Sequence, residues 1–149
     1  MSQSLVQVYL HLVFSTKNRA PYFTDDNERA AIHAYLAGIC RNLDSPALIV
    51  GGAADHVHIL CRHSKSLTIV DLLRDVKRAS SVLINEKDKG SFHWQTGYGA
   101  FSVSPGHIKD LTCYIANQAE HHRDASFQDE FRRICKKYGL TIDERYVWD

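Results

Sequence analysis

Hydrophobic and polar residues alternate most clearly near the start of the chain. Residues 6–16 are rich in β-branched and aromatic side chains, which favour strands. Successive residues of a strand point to opposite faces, so this segment has one apolar face and one partly polar face. The apolar face carries Val6, Val8, Leu10, Leu12 and Phe14, and the other face carries Tyr9, His11 and Val13.

Four segments are predicted to be helices, and in three of them apolar residues repeat at helical spacing. Acidic residues in a first turn suit the helix dipole, and a glycine after the last turn ends a helix. The predicted helices run from an N-cap at Thr24 to about Leu43, over about 68–86, over 107–122, and from an N-cap at Ser126 to Gly139.

Further strands are predicted between these helices. Two short apolar runs, 47–53 and 56–62, predict a hairpin. Gly51 and Gly52 indicate a bulge or a close backbone approach near its tip. The remaining predictions are an irregular strand over 92–103, which is aromatic and punctuated by glycine, and a short edge strand over 145–148.

The order of these elements is β-α-β-β-α-β, followed by helices. This order predicts an α+β fold of the ferredoxin-like or RRM-like kind, with helices on one face of an antiparallel sheet plus C-terminal helices. The sequence has no internal repeat or linker, so residues 1–149 are expected to form one domain.

Composition narrows the class of protein without naming a partner. The chain is 44% hydrophobic and 23% charged, which is typical of a soluble globular protein. A net charge of +1 neither requires nor excludes a nucleic-acid partner. The four cysteines are too far apart for a CxxC site, which favours reduced thiols and a cytoplasmic location. No apolar run approaches the roughly 20 residues of a membrane span.

The first pattern that carries chemistry is His56-Val57-His58. In a strand, His56 and His58 share a face, and neutral imidazole is a common metal ligand. The alternative is a pair of half-buried histidines that bind nothing.

The second pattern is Tyr114 with Gln118 four residues later. On a helix these two side chains share a face. An amide oxygen can bind a divalent cation, and a phenol can act as a nucleophile on a polarised phosphate. The alternative is a tyrosine that anchors the helix and a glutamine that faces solvent.

Together, the two patterns resemble those of the single-tyrosine HUH transposases of the smallest bacterial insertion sequences, the IS200-like transposases, and of their REP-associated tyrosine transposase relatives. HUH denotes two histidines around a hydrophobic residue, and the tyrosine helix of this family carries a glutamine four residues on. The resemblance extends over nearly the whole chain and includes the segments HLVFSTK at 11–17, GYGAFS at 97–102 and YVWD at 146–149.

The resemblance implies a mechanism. His56, His58 and Gln118 would hold one divalent ion, Mg²⁺ or Mn²⁺, that acts as a Lewis acid on the scissile phosphate of DNA. Tyr114 would attack that phosphate and keep its 5′ side, which leaves a free 3′ hydroxyl. Because the phosphotyrosine conserves the bond energy, rejoining would need no nucleotide cofactor.

Three further residues are less diagnostic of a function. Asp55 precedes the histidine pair and either orients an imidazole or is simply an acid at a hairpin tip. His122 lies four residues after Gln118, where it either approaches the ion or DNA or remains exposed at a helix end. His11 is expected to be a packed histidine with a polar partner.

The substrate implied by the resemblance is single-stranded DNA with hairpins. Basic residues are candidates for phosphate contacts, although a solvated helix surface explains them equally well. Aromatic residues Phe92, Trp94 and Tyr98 could stack on bases, although such residues in a strand are more often core. The basic candidates are Lys17 and Arg19 after the first strand, and Arg74, Lys77 and Arg78 on the second helix.

The resemblance also implies a homodimer whose active sites are shared between subunits, with no membrane partner. Two alternatives stay open: a domesticated relative that acts on palindromic repeats, and a non-catalytic protein that binds single-stranded nucleic acid. The second alternative requires exposed aromatic residues on central strands, and no RNP1-like sequence is evident.

Overall fold

A four-stranded antiparallel sheet lies at the centre of the computed structural model, which describes residues 2–88 and 90–149. The strands are β1 (Tyr9–Ser15), β2 (Ala47–Gly52), β3 (His56–Arg62) and β4 (Gly99–Val103). Their order in the sheet is β2-β3-β1-β4, so β1 lies between β3 and β4. This order and the antiparallel pairing confirm the predicted α+β fold.

Helices cover the sheet on both faces. In the part of the chain that the structure describes, no helix is long and apolar enough to cross a membrane. The helices are α1 (Asp26–Asn42), α2 (Ile69–Asp88), α3 (Ile108–Ala116), α4 (Gln118–His121) and α5 (Phe127–Lys137).

The prediction of one continuous helix over 107–122 is wrong. Helix α3 ends at Ala116 and α4 begins at Gln118, with Asn117 at φ −101° and ψ 24° between them. Asparagine is a weak helix former, and apolar periodicity gives no sign of such a break. Tyr114 and Gln118 therefore lie on opposite sides of a turn.

Two terminal assignments also differ from prediction. The N-cap of α1 is Asp25 and not Thr24, because the Asp25 carboxylate accepts a hydrogen bond from the Glu28 N–H at 2.9 Å. Segment 145–148 is not a strand, because it folds into turns in which the Asp143 carbonyl accepts from two following N–H groups. The predicted strand over 92–103 is regular only at Gly99–Val103, and its earlier part makes a single bridge between Trp94 and Thr16.

The face of the sheet under α1 and α2 holds the larger apolar core. Burial of apolar surface is the main favourable contribution to the free energy of folding. Strands β1 and β3 contribute alternate residues to this core, as the pattern of β1 predicts. The core includes Leu10, Leu12 and Phe14 of β1, Val57, Ile59 and Cys61 of β3, Ile32, Leu36 and Cys40 of α1, and Leu72, Leu73 and Val76 of α2.

On the opposite face, α3 and α5 pack close to the sheet because two of the strand residues beneath them are glycines. A Cβ atom on Gly51 of β2 would lie 2.5 Å from the carbonyl oxygen of Ile115 on α3. A Cβ atom on Gly99 of β4 would lie 2.7 Å from the ring of Phe131 on α5. The close approach predicted near the hairpin tip is therefore confirmed at Gly51, and it sets the distance between α3 and the sheet.

Candidate active site

The histidine pair lies on the face of β3 that points toward α3 and α5. His56 and His58 are fully buried, while Val57 between them belongs to the core on the other face. Strand β3 is held on both sides, by β1 and by β2, which fixes the direction of its side chains. The strand-borne imidazole pair is thus present as predicted.

Glu130 on α5 lies at the centre of the cluster and is only 2% exposed. Its Oε1 atom lies 3.0 Å from Nε2 of His58, 3.3 Å from Nε2 of His56 and 3.1 Å from Nε2 of His122. Three imidazoles therefore surround a single carboxylate oxygen.

The tyrosine and the glutamine reach the same carboxylate from the other side. The Tyr114 hydroxyl donates a hydrogen bond to Oε2 of Glu130, and the Gln118 amide donates to the same atom at 3.0 Å. The Gln118 carbonyl oxygen lies 2.9 Å from Nε2 of His56. The two patterns found in the sequence therefore converge within one chain, despite the break in the helix.

Each histidine of the pair has a second partner on its Nδ1 atom. The Nδ1 atom of His56 lies 2.7 Å from a carboxylate oxygen of Asp55, and that of His58 lies 2.7 Å from Nε2 of His11. These contacts turn both Nε2 atoms toward Glu130. His11 is the packed histidine that the sequence predicts, and Asp55 makes the contact that an orienting role requires.

The pKa values in the cluster follow from burial and charge. Burial alone would lower the pKa of His56, but hydrogen bonds and charge from Asp55 and Glu130 raise it to about 9. Burial lowers the pKa of His58, although the hydrogen bond to Glu130 and the charge of that carboxylate act in the opposite direction. Burial would raise the pKa of Glu130, but hydrogen bonds from three imidazoles hold it well below its ordinary value. Burial and the hydrogen bond to Glu130 raise the pKa of Tyr114.

The donor set fits a divalent cation. Ligand atoms of His56, His58 and Glu130 all lie within 4.8 Å of one another, and the Gln118 carbonyl oxygen faces the same space. Imidazole nitrogens with carboxylate and amide oxygens form a mixed set that suits Mn²⁺ or Mg²⁺. The buried polar atoms of this cluster therefore have the chemistry of a metal centre.

A cavity of about 990 Å³ opens beside the tyrosine. Tyr114, His11 and Glu130 line it on the side of the cluster, while Arg133 and Lys137 of α5 line it further out. Both cationic side chains are exposed. The sequence reasoning did not single out these two residues.

The basic residues selected from the sequence lie elsewhere. Exposed Arg74 and Arg78 form ion pairs with Asp71 and Asp75 on their own helix. Lys77 donates to the carbonyl oxygens of residues 95, 96 and 97 and packs against the ring of Phe14, which faces away from the histidines.

The other selected side chains also find local partners. Arg19 donates to the carbonyl oxygen of Trp148 at 3.1 Å, whereas Lys17 is exposed. Phe92 and Trp94 belong to the apolar core, which confirms the core interpretation, and Tyr98 is 36% exposed. These residues are not part of the cluster around Glu130.

Glu130 is the one member of the cluster that the sequence reasoning missed. A signal for it exists, because Phe127, Glu130 and Phe131 stand at i, i+3 and i+4 on the buried stripe of α5. An ionisable residue at a core-facing position is seldom fully buried without partners. Its place on that stripe therefore indicates a buried polar cluster.

Comparisons with known proteins bear on the family and the fold of this chain. Residues 4–118 match the protein family described as "Transposase IS200 like". No curated protein matches the sequence. A solved structure from Deinococcus radiodurans R1, provisionally assigned as a transposase, is similar with a TM-score of 0.62 and 21% identity, over 79% of this chain and 98% of that one.

A second similar structure is that of a REP-associated tyrosine transposase bound to a REP hairpin. It has a TM-score of 0.58 and 12% identity, over 82% of this chain and 75% of that one. Both similarities support the fold. Because the family match extends over most of the chain and includes the histidine pair, Tyr114 and Gln118, this protein is a member of the IS200-like transposase family.

Proposed function

We propose that this transposase cuts and rejoins single-stranded DNA through a covalent bond between Tyr114 and a 5′ phosphate, with a divalent metal ion, Mg²⁺ or Mn²⁺, held by His56, His58 and Gln118. The observation that carries the proposal is the convergence of these four side chains on one buried carboxylate. A phenol, two imidazoles and an amide that all contact one buried carboxylate are difficult to explain by packing alone.

The bound ion would polarise the scissile phosphate and orient it for in-line attack. The Tyr114 oxygen bonds to phosphorus, the bond from phosphorus to the 3′ oxygen breaks, and that oxygen becomes a hydroxyl with a proton equivalent to the one the phenol loses. The charge on Arg133 favours the phenolate, in opposition to burial. Asp55 and His11 fix the two imidazoles through their Nδ1 atoms. The reverse reaction rejoins DNA without a nucleotide cofactor.

The proposed substrate is single-stranded DNA that carries a hairpin. Support comes from the similar fold of the transposase that is bound to a REP hairpin. The cavity beside Tyr114 offers a route for the strand, with Arg133 and Lys137 available to phosphate oxygens. We further propose that the reaction takes place in the cytoplasm. We also propose that residues 1–149 act as one catalytic domain.

An incubation with labelled hairpin DNA and Mn²⁺, followed by a denaturing gel, tests the proposal. The unmodified protein is expected to form a covalent adduct, and Tyr114→Phe is expected to bind the hairpin without forming one. Removal of the metal ion with EDTA should also abolish the adduct. An adduct in the Phe variant would remove Tyr114 from its role, and DNA binding without any adduct would indicate the non-catalytic alternative.

The proposal includes a homodimer, although one chain alone brings Tyr114 to the histidines. Mixing of His58→Ala and Tyr114→Phe proteins distinguishes the two ways of assembling the site. Recovery of cleavage in the mixture indicates that subunits exchange the tyrosine, and an inactive mixture indicates a site built within each chain. Light scattering on the same samples measures the oligomeric state.

A further inference from the structure

We propose that Glu130 joins the nucleophile to the metal centre, with one carboxylate oxygen binding the ion and the other holding the Tyr114 hydroxyl. This inference rests on the function proposed above and deepens it. Glu130 lies on α5, beyond residues 4–118 that match the family, so the match does not assign it any role.

The two oxygens of Glu130 face different groups. Oε1 lies among the Nε2 atoms of His56, His58 and His122, at 3.0 to 3.3 Å. Oε2 accepts hydrogen bonds from the Tyr114 hydroxyl and the Gln118 amide. One carboxylate therefore spans the distance between the ligand atoms and the attacking oxygen.

The burial of Glu130 on α5 lowers the stability of the fold unless specific interactions compensate for it. Its neighbours on the buried stripe, Phe127 and Phe131, pack in the apolar cluster on this face of the sheet. A carboxylate that is 2% exposed loses its hydration and is stabilised only by close partners. All of the partners that the structure gives it belong to the proposed active site.

The charge of Glu130 completes the ligand set. Two neutral imidazoles and an amide oxygen bring no negative charge to a divalent ion, and one carboxylate offsets half of the ion's charge. Carboxylate oxygen is also a preferred ligand of Mg²⁺ and Mn²⁺. The ligand set on this chain would then be His56, His58, Gln118 and Glu130, and the remaining positions around the ion would be open to the scissile phosphate.

The first test measures metal affinity and does not depend on activity. Mn²⁺ is titrated into the DNA-free protein by calorimetry, with Glu130→Gln as the test variant. Asp129→Asn is the matched control, because Asp129 is exposed on the same helix and forms an ion pair with Arg132, outside the cluster around Glu130. We expect the Gln variant to bind Mn²⁺ at least about 10-fold more weakly, and the control to bind it normally.

The second test measures how the hydrogen bond between the Tyr114 hydroxyl and Glu130 affects the rate of cleavage. In single-turnover cleavage at saturating Mn²⁺, Glu130→Gln should remain at least about 10-fold slower, because a neutral amide holds the Tyr114 hydroxyl more weakly than the charged carboxylate does. Hairpin affinity should not change. Both effects together support the proposal, whereas normal Mn²⁺ affinity or full recovery of the rate at saturating Mn²⁺ overturns it.

A second variant covers the case in which the Gln variant does not fold. Glu130→Asp keeps the charge but is one methylene shorter, so its carboxylate cannot reach both the imidazoles and the phenol. A reduced rate at saturating Mn²⁺ supports the proposal, and normal affinity and rate overturn it. Failure of the proposed function has a different signature, since the unmodified protein would then form no adduct at all.

Discussion

On β3, consecutive residues enter two different environments. Val57 and Ile59 belong to the larger apolar core under α1 and α2, whereas His56 and His58 point toward α3 and α5 and meet acids, an amide and a phenol ring. All four side chains are fully buried. Burial therefore does not distinguish the structural face of the sheet from the chemical face.

The two faces of the sheet differ in the interactions that stabilise their buried side chains. On the face under α1 and α2, stability grows with the apolar area removed from water. On the opposite face, each buried polar group must find a hydrogen-bond partner, and the cluster around Glu130 supplies such partners to one another. A two-residue repeat in one strand thus allows the same element to stabilise the fold and to present ligands.

The largest expected effect comes from the chemical face. His58→Ala removes a proposed metal ligand, so metal-dependent cleavage should fall by more than about 100-fold, the upper end for loss of a residue that supports a ligand. The measurement is covalent adduct formation with Mn²⁺, alongside circular dichroism to show that the variant is folded. Near-normal cleavage in a folded variant would contradict the assignment of His58 to the metal.

Leu12→Ala provides the matched change on the structural face. Leu12 is completely buried in the larger core, so its truncation should lower the free energy of unfolding by about 2–5 kcal/mol. Urea unfolding measures this loss. Mn²⁺ affinity below the unfolding transition should stay normal, and a large loss of affinity would show that the two faces are not independent.

Acid should weaken the protein through a histidine outside the cluster. Burial, together with the charges of Arg29 and His56, lowers the pKa of His33 on α1 from 6.5 to about 4. As the pH falls from 6.5 to 4, the unfolded chain binds a proton that the folded protein does not, so stability is lost in that window. The loss is at most about 3 kcal/mol at 1.36 kcal/mol per pKa unit.

Urea unfolding in EDTA at several pH values measures this effect. His33→Gln carries no titrating imidazole, so its stability should decline less steeply below pH 6.5 than that of the unmodified protein. Parallel declines in the two proteins would mean that His33 does not contribute.

The smallest expected effect concerns the spacing between α3 and the sheet. Gly51→Ala places a methyl group 2.5 Å from the Ile115 carbonyl oxygen, so α3 must move or the backbone must distort. The expected cost is about 1–3 kcal/mol of unfolding free energy, together with slower cleavage as Tyr114 shifts. Gly106→Ala is the control, since a Cβ atom there meets nothing within 4 Å. Equal behaviour of the two variants would contradict the proposed role of Gly51.

The order of the elements along the chain and the histidine pair could be predicted from the sequence because apolar runs, helical spacing and the His-Val-His pattern are local properties. The break at Asn117 could not, since segment 107–122 contains no proline or glycine to mark it. Glu130 belongs to no short motif, and only its position between Phe127 and Phe131 on the buried stripe of α5 indicates that it is buried. The basic residues of α2 were selected by spacing alone, and spacing does not reveal that Lys77 binds backbone carbonyl groups.

The most direct test of the central claim is a crystal structure of the protein soaked with Mn²⁺, in which anomalous scattering locates the ion. The account predicts a single ion about 2.1 Å from Nε2 of both His56 and His58, with oxygens of Gln118 and Glu130 as further ligands and the Tyr114 hydroxyl beside Glu130. An ion bound away from the histidine pair, or a pair with no ion at saturating Mn²⁺, would contradict it.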